Sequence, residues 1–344
     1  MQYSTFAAID IGSYDVILEI FEISKKQGIR SVDKICHRME LGKDTYTLGK
    51  IRPEMEEELC RVLADFVRIM EGYRVDDYRA TASSAISEAS NSLYVLGKIH
   101  QLTGFSVTVL SNSEQRFLSY KALAAMEDNF NKIIEKGTAI LDLDGGSFQI
   151  SLFDKDALVT TQNIRMGSLR IRERLAGIQS ETEHYEEMVE ELIWNEVSSF
   201  KKMYLKDRKI ENIMLIGDVF TDSVYQNIEE KTTKIISREN FNTWYEKIIR
   251  QSPMELAVKL GIPLENASLM YPSAVIYKCL IDMMGAEHIW IPGVHMTRGI
   301  AYEYAEQMKL LKGGHNFEND ILMAAKNIGK RYAVNRPHVQ NLEM

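Results

Sequence analysis

Two segments of the sequence each combine an acidic residue with a turn of small residues. In residues 6–23, FAAIDIGSYDVILEIFEI, an apolar run ends at Asp10, and in residues 139–153, AILDLDGGSFQISLF, a similar run ends at Asp142. Backbone N–H groups in such turns can cradle phosphate oxygens, and strand-end carboxylates can hold Mg²⁺. The same residues suit plain hairpin turns that begin at an aspartate, so both interpretations stay open. The small residues of the two turns are Gly12, Ser13, Gly145, Gly146 and Ser147.

The two segments align with each other as an internal repeat. Asp10 aligns with Asp142 and Ser13 with Ser147, although the second turn is longer. In both segments an alternation of apolar and polar residues follows the turn, which predicts a β-hairpin. A repeat of this kind predicts a duplicated domain with a cleft between its two halves.

The helices and strands that must position these turns are predicted from the spacing of hydrophobic residues. Apolar residues at helical spacing alternate along the chain with short β-prone runs, and this alternation predicts the α/β class. Helices are predicted at 53–71, 91–102, 113–126, 182–205, 241–250, 253–260, 272–284 and 299–311. Strands besides the two hairpins are predicted at 105–110, 212–217 and 289–292.

Composition narrows the class of protein further. The chain has 344 residues, of which 45% are hydrophobic and 26% charged, so it has enough apolar material for about two globular domains. A disordered or collagen-like chain is excluded. The net charge of −8 argues against broad binding to nucleic acid or to a membrane surface. An anionic substrate would therefore have to meet a locally positive pocket.

Cysteines and targeting signals add little chemistry. The three cysteines, at positions 36, 60 and 279, have no short spacing, which excludes a disulfide framework and a cysteine zinc site. No stretch approaches the roughly 20 apolar residues that span a bilayer, and no signal-peptide pattern opens the chain. The expected location is the cytoplasm.

Six short blocks occur in a set order: DIGS at 10–13, ASSAISEASN at 82–91, LSNSE at 110–114, DLDGGS at 142–147, MGSLR at 166–170, and Gly217. In order and interval these blocks resemble the exopolyphosphatase / guanosine pentaphosphate phosphohydrolase (Ppx/GppA) family of the actin-like ATPase superfold. The resemblance runs from about residue 6 to 308. Actin and sugar kinases share the two hairpins, but the middle blocks look like this family.

The resemblance implies two actin-like (ribonuclease H-like) α/β domains with a central cleft. Domain I would be residues 1–125 with a returning helix at about 299–312, and domain II would be residues 126–298. Residues 313–344 look like the start of a helical, HD-like C-terminal domain, as in a shortened chain or a naturally short form. The alternative is a simple C-terminal helix.

The resemblance also implies a reaction, the attack of water on a terminal phosphoanhydride of inorganic polyphosphate or guanosine pentaphosphate. Mg²⁺ would be the cofactor, with Asp10 and Asp142 binding the metal through its water. Gly12, Ser13, Gly145, Gly146 and Ser147 would cradle the phosphates. Family members are often dimers, so a homodimer is the expected assembly.

Glu114 is the expected catalytic residue, because it matches the first of two family glutamates and would orient the attacking water. Its alternative role is structural: in Ser111-x-x-Glu114 it would complete a capping box at the start of a helix. Both roles stay open.

The sequence departs from the family pattern at several positions of the expected site. The departures are Tyr14 for asparagine, Glu40 and Ser87 for arginines, Gln115 and Gln149 for glutamates, Asp144 for glycine and Phe148 for threonine. Glutamine cannot accept a proton, and losing such a group costs roughly 10²- to 10⁴-fold in rate. Groups that could compensate are Asp144, Gln149 and Arg170, with Arg165, Arg172 and Arg174 nearby.

These departures leave alternatives to the hydrolase. One is a non-catalytic member that binds a nucleotide or phosphorylated signal and transmits closure of the cleft to a partner. A less favoured one is an ATPase of the sugar-kinase type. His295 and Arg298 are interpreted as packing residues at the return to domain I.

Overall fold

The computed structural model describes residues 3–126, 130–155, 157–176, 185–205, 208–217, 219–227, 234–311 and 315–335. Within them the chain forms two β-sheets and a set of surrounding helices. The first half of the chain supplies one sheet and the second half supplies the other, as the internal repeat predicts.

The first sheet has five strands in the order β3-β2-β1-β4-β5. Strands β1, β2 and β3 are antiparallel neighbours, whereas β4 and β5 run parallel to β1. The register pairs Asp10 with Ile17 on β2 and with Thr81 on β4. The strands are β1 (Ser4–Ile11), β2 (Asp15–Ser24), β3 (Gly28–Arg38), β4 (Asp77–Ala82) and β5 (Val107–Val109).

The second sheet has six strands in the order β10-β11-β9-β6-β7-β8 and repeats the same plan. Strands β6, β7 and β8 are antiparallel neighbours, and β9 is parallel to β6. The register places Asp142 opposite Gln149. The strands are β6 (Thr138–Leu143), β7 (Phe148–Asp154), β8 (Ala157–Ile164), β9 (Asn212–Ile216), β10 (Ile235–Ser237) and β11 (His288–Trp290).

Helices cover both faces of each sheet, because alternate residues of the central strands are apolar on both sides. The helices of the first half are α1 (Leu41–Leu48), α2 (Pro53–Tyr73), α3 (Ser84–Ser87), α4 (Ser92–Thr103), α5 (Asn112–Met126) and α6 (Phe130–Ile134). Those of the second half are α7 (Ser168–Leu175), α8 (Tyr185–Phe200), α9 (Val219–Asn227), α10 (Arg238–Ile249), α11 (Pro253–Leu260), α12 (Leu264–Met284), α13 (Met296–Gln307) and α14 (Phe317–Arg331).

Two helices connect the sheets at the site. Helix α5 packs Leu118 on the outer face of the first sheet and Tyr120 on the second, while α13 packs Ile300 and Tyr304 on the first. Helix α13 therefore returns to the first sheet, as expected. The predicted domain boundaries at 125/126 and 298/299 stay a prediction.

Several predicted bounds were wrong. Helix α12 starts eight residues before Pro272, which lies buried inside it and not at its beginning. Strand β5 is shorter than the predicted 105–110, and α13 starts before the predicted 299–311. The predicted helix 182–205 is α8 followed by a π-helical turn, with residues 182–184 outside the described part. Strands β3, β4, β8 and β10 were not predicted.

The tail forms one helix, α14, in its described part. Asn327 on this helix donates to the backbone oxygens of Leu158 and Val159 on β8, and Asp320 accepts the backbone N–H of Leu158. The HD-like interpretation of the tail stays a prediction, and residues 312–314 and 336–344 lie outside the described part. No helix among the described residues is long and apolar enough to cross a membrane.

Gly299 allows α13 to approach α5 at backbone distance. A Cβ added at this residue would lie 2.0 Å from the backbone oxygen of Leu118. We predict that Gly299→Ala lowers the free energy of unfolding by roughly 1–3 kcal/mol, because backbone cannot move aside as a side chain can.

Gly97→Ala is the matched control for this prediction. Gly97 lies inside α4 with nothing within 4 Å of an added Cβ, so alanine there should raise stability by up to about 1 kcal/mol. Chemical denaturation of both variants tests the pair. Equal effects at the two positions would contradict the close approach.

Candidate functional site

A cavity lies between the two sheets, at the carboxyl ends of β1 and β6. Because these strands are equivalent in the repeat, their terminal aspartates face the same space. Helices α5, α9 and α13 complete its wall. Its polar lining is Asp10, Asp15, Lys34, Cys36, Arg38, Ser83, Gln115, Ser119, Asp142, Asp144, Ser147, Gln149, Asp222, His295 and Thr297.

Five aspartates line this cavity, and the pKa values of Asp10, Asp15, Asp142 and Asp144 are all raised. Burial is the largest cause at each. The pKa of Asp10 is raised well above its usual value, first by burial and then by Asp15, Asp144 and Asp142. Burial raises the pKa of Asp142 to about 6, and burial with the charges of Asp142 and Asp15 raises that of Asp144 to about 7. The ionised forms of these carboxylates are therefore disfavoured, and a bound cation would stabilise them.

Hydrogen bonds orient these carboxylates from neighbouring elements. Ser119 on α5 donates to Asp142 Oδ2 at 2.7 Å, and Thr81 on β4 makes a long bond of 3.4 Å to Asp10 Oδ1. The backbone N–H of Gly145 donates to Asp144 Oδ1 at 2.6 Å. Each of these three aspartates is thus held by a local donor rather than by a basic side chain.

Basic groups enter the cavity from β3. Arg38 Nη1 donates to Asp15 Oδ2 at 2.9 Å, and Lys34 lines the wall four residues earlier. Sequence reasoning did not find either residue, or Asp15. The signal was present, because Lys34, Cys36 and Arg38 are spaced by two and so share one face of a strand.

The small-residue turns do not act as one open cradle. Gly12 and Ser147 line the cavity, whereas Ser13, Gly145 and Gly146 are not among its lining residues. The N–H of Gly12 donates to the backbone oxygen of Asp15 at 2.8 Å, which closes the first hairpin. The phosphate-binding role predicted for these turns stays a prediction.

The tips of the two turns pack directly against each other. Ser13 is fully buried, and its hydroxyl bonds at 2.8 Å to the hydroxyl of Tyr46, which bonds in turn to that of Ser84 at 2.8 Å. A Cβ at Gly146 would lie 2.1 Å from the Tyr46 hydroxyl. Glycine is required there because the second turn touches α1 and α3 of the first half.

Glu114 lies outside the cavity lining. Its Oε2 accepts the Ser111 N–H and hydroxyl, each at 2.7 Å, and its own N–H donates to Ser111 Oγ at 3.3 Å. These hydrogen bonds lower the pKa of the exposed Glu114 carboxyl. This is the capping box, so the geometry favours the structural role and does not support the expected catalytic one.

Two glutamines replace expected glutamates in the wall. Gln149 is buried on β7 and Gln115 lies on α5. In the described structure Gln149 Oε1, Gln115 Nε2 and the hydroxyl of Ser83 are buried without a hydrogen-bond partner. Buried polar atoms without partners are costly, so these three atoms mark places where a bound ligand or water would supply the bond.

Arg170 does not line the cavity, although it was expected to compensate there for the departures from the family pattern. Its guanidinium lies 3.9 Å from the centre of the Tyr46 ring and bonds Glu88 at 2.9 Å. Arg172 on the same helix forms a two-pronged pair with Glu40, at 2.7 and 2.8 Å. Both arginines link α7 to the first half of the chain.

His295 was wrongly interpreted as a packing residue. It directly precedes α13 and lines the cavity, where its Nε2 lies 3.5 Å from Asp222 Oδ1 on α9. Burial lowers the pKa of His295 below its usual value. The motif HMTRG does not by itself show which cavity His295 faces.

Asp10 and Asp142 are the residues that fit Mg²⁺. No group of three or more His, Cys, Asp and Glu side chains among the described residues is arranged as a direct metal site. Mg²⁺ fits this arrangement because it keeps several waters and takes one or two carboxylates together with substrate phosphates. The raised pKa values of the cluster support the same fit.

A model of the Ppx/GppA phosphatase family matches residues 19–308. The chain belongs to this family. Among solved structures, an exopolyphosphatase from Cytophaga hutchinsonii has a TM-score of 0.78 at 16% identity, covering 88% of this chain and 98% of that one. A Ppx/GppA family member from Aquifex aeolicus has a TM-score of 0.71 at 17% identity, covering 89% and 99%. The fold is therefore the actin-like α/β fold with two sheets.

Curated relatives match at low identity. A bifunctional 3-dehydroquinate synthase/phosphatase of Fusobacterium nucleatum is 21% identical over 310 residues, which cover 82% of this chain and 44% of that protein. Exopolyphosphatase 1 of Mycobacterium leprae is 25% identical over 144 residues, which cover 42% of this chain and 41% of that protein. The alignments span less than half the length of these relatives.

The acid cluster generates a prediction about stability. Because folding raises the pKa of Asp10, ionising this group costs stability at any pH above its unfolded pKa of about 4. Without divalent cations, Asp10→Asn should raise the melting temperature at neutral pH by roughly 1–5 °C. The gain should shrink as the pH falls and vanish below about pH 4, where the aspartate is neutral in both states.

Asp65→Asn serves as the control, because Asp65 is exposed on α2 and pairs with Arg68. Its effect should stay within about 0.5 kcal/mol. Thermal unfolding of both variants against pH checks the prediction. A loss of stability in Asp10→Asn at neutral pH would mean that the carboxylates do not repel.

Proposed function

We propose that this protein hydrolyses the terminal phosphoanhydride bond of inorganic polyphosphate or of a guanosine polyphosphate such as guanosine pentaphosphate, with Mg²⁺ as cofactor. The observation that carries the proposal is the cluster of Asp10, Asp142 and Asp144 in a cavity that also receives Lys34 and Arg38. Membership of the Ppx/GppA phosphatase family and the name of the exopolyphosphatase relatives support the same reaction.

The acidic and the basic residues of the cavity would have different roles. Asp10 and Asp142, at equivalent strand ends, would hold Mg²⁺, which when bound neutralises charge on the phosphate oxygens. Lys34 and Arg38 would attract the remaining oxygens of an anionic chain. The Ser83 hydroxyl and Gln115 Nε2 would donate to phosphate or water, and Gln149 Oε1 would accept a hydrogen bond from water.

Assembly and location belong to the same proposal. A homodimer is expected from the resemblance, and a cytoplasmic location is proposed together with it. Nucleic acid and membranes are not expected as partners, since the net charge is −8.

A second candidate function is binding without turnover. Gln115 and Gln149 favour it, because both stand in the cavity wall where the resemblance leads us to expect glutamates, and an amide cannot accept a proton. Such a protein would bind a phosphorylated ligand and transmit closure of the cleft to a partner.

Phosphate release separates the two functions. We expect the unsubstituted chain to release phosphate from polyphosphate or guanosine pentaphosphate with Mg²⁺ and to stop when the metal is chelated. Asp142→Asn should lower kcat/KM at least about 100-fold, because loss of the metal removes several kcal/mol of charge stabilisation. Asp65→Asn is again the control and should leave the rate unchanged.

The Gln149→Glu variant further distinguishes the hydrolase from the binding protein. Turnover by the unsubstituted chain supports the hydrolase. Turnover only in Gln149→Glu, together with ligand binding by the unsubstituted chain in equilibrium dialysis, supports the binding protein. Absence of both turnover and binding for every phosphate ligand would contradict both functions.

A further inference from the structure

A histidine–aspartate pair stands in the cavity wall, on the side formed by α9 and α13. His295 Nε2 lies 3.5 Å from Asp222 Oδ1, and both side chains are partly open, with 29% and 39% of their surfaces exposed. Water and substrate can therefore reach the pair. Within the described part of the wall, His295 is the only imidazole.

We propose that His295, oriented by Asp222, is the group that accepts the proton of the attacking water, an inference that rests on the proposed function. The water oxygen bonds to the terminal phosphorus as its proton passes to the imidazole. The bond from that phosphorus to the bridging oxygen breaks, and its electron pair stays with the shortened chain. Inorganic phosphate leaves, and the imidazolium returns its proton to solvent.

The other groups of the wall are poorly suited to this role. Gln115 and Gln149 carry amides, and Glu114 is held in its capping box outside the wall. Burial raises the pKa of the Cys36 thiol to about 11, so it stays protonated. Asp15 is engaged by Arg38.

Asp144 remains the competing base, since it shares the cavity with the pair. Its Oδ1 already accepts the Gly145 N–H, and it lies in the acid cluster where Mg²⁺ is expected. A carboxylate beside the metal is drawn to the cation, which weakens it as a proton acceptor. The histidine stands on the part of the wall formed by α9 and α13.

The charges around His295 leave the imidazole neutral and able to act as a base at neutral pH. Burial is the largest influence and lowers its pKa, and Lys34 on β3 acts in the same direction. Asp222 on α9, with Glu19 and Asp15 on β2, opposes them and stabilises the imidazolium that forms during the step. Asp222 would be the carboxylate that orients the imidazole, as in other His–Asp pairs.

The test measures phosphate release from inorganic polyphosphate with Mg²⁺ by the full chain and its variants. His295→Gln should lower kcat by about 10²- to 10⁴-fold with KM changed less than threefold. His295→Gly should regain at least tenfold when imidazole is added, in proportion to its free-base fraction. Asp222→Asn should lower kcat less than His295→Gln does.

His37→Gln is the matched control, because His37 also faces a carboxylate, Glu58 at 3.1 Å, but outside the cavity wall. It should keep full activity and show no response to imidazole. Melting temperatures of all variants confirm that each is folded. Imidazole rescue separates a proton acceptor from a merely structural residue, because a packing defect would not follow the free-base fraction.

The outcomes distinguish the two levels of the proposal. Full activity in His295→Gln, or a folded His295→Gly that imidazole does not rescue, overturns the role of His295 while the hydrolase stands. Loss of activity in Asp144→Asn with none in His295→Gln assigns the proton to Asp144. No phosphate release by the unsubstituted chain overturns the proposed function and this inference with it.

Discussion

Burial of several aspartates in one cavity, with repulsion between some of them, is the constraint on which the rest of the site depends. Two like charges about 4 Å apart cost on the order of 1 kcal/mol in water and about 4 kcal/mol at the dielectric of a protein surface. Folding brings Asp10, Asp142 and Asp144 into one cavity and raises the pKa of each. A fold that were free to relax would separate them, so the surrounding packing must hold the strand ends in place.

That packing comes from close contacts between the two halves of the chain. Gly146 reaches the hydroxyl of Tyr46, and Gly299 brings α13 onto the backbone of α5. Arg172 adds a two-pronged ion pair to Glu40, with both side chains at most one-fifth exposed. An arginine at position 40, which the resemblance leads us to expect, would face Arg172 and repel it. The departure at Glu40 is therefore consistent with a charge pair that joins the halves.

The fold was largely predictable because its signals are local. Alternation in β1–β2 and β6–β7 gave both hairpins, and helical spacing gave α2 and α4 closely. Strand β3 was not predicted because most of its residues are polar and none is buried, so no apolar alternation marks it. Strand β4 has the sequence DYRATA, in which charged and small residues replace an apolar alternation. Pro272 suggested a helix start although it lies inside α12.

The residues of the site were predictable only where they lie together in one sequence motif. Asp10, Asp142, Asp144, Ser147 and Gln149 lie in the two hairpins and line the cavity together. Lys34 and Arg38 come from β3, Asp222 from α9 and His295 from the start of the α13 segment, so their meeting depends on how the sheets and helices pack. Glu114 and Arg170 fit the site by their local sequence, but their side chains bond elsewhere in this structure.

The departures from the family pattern at Gln115, Asp144 and Gln149 can be explained by electrostatics, because the structure places these positions in one cavity wall. Glutamine at 115 and 149 removes two expected negative charges from a wall that already holds Asp144 in place of a glycine. Two more carboxylates there would add to the repulsion within the cluster, whereas neutral amides do not. A base on the α9 and α13 side that is neutral before it accepts a proton adds no negative charge to the site. An imidazole meets that requirement and a carboxylate does not, which links the glutamines to His295 through electrostatics.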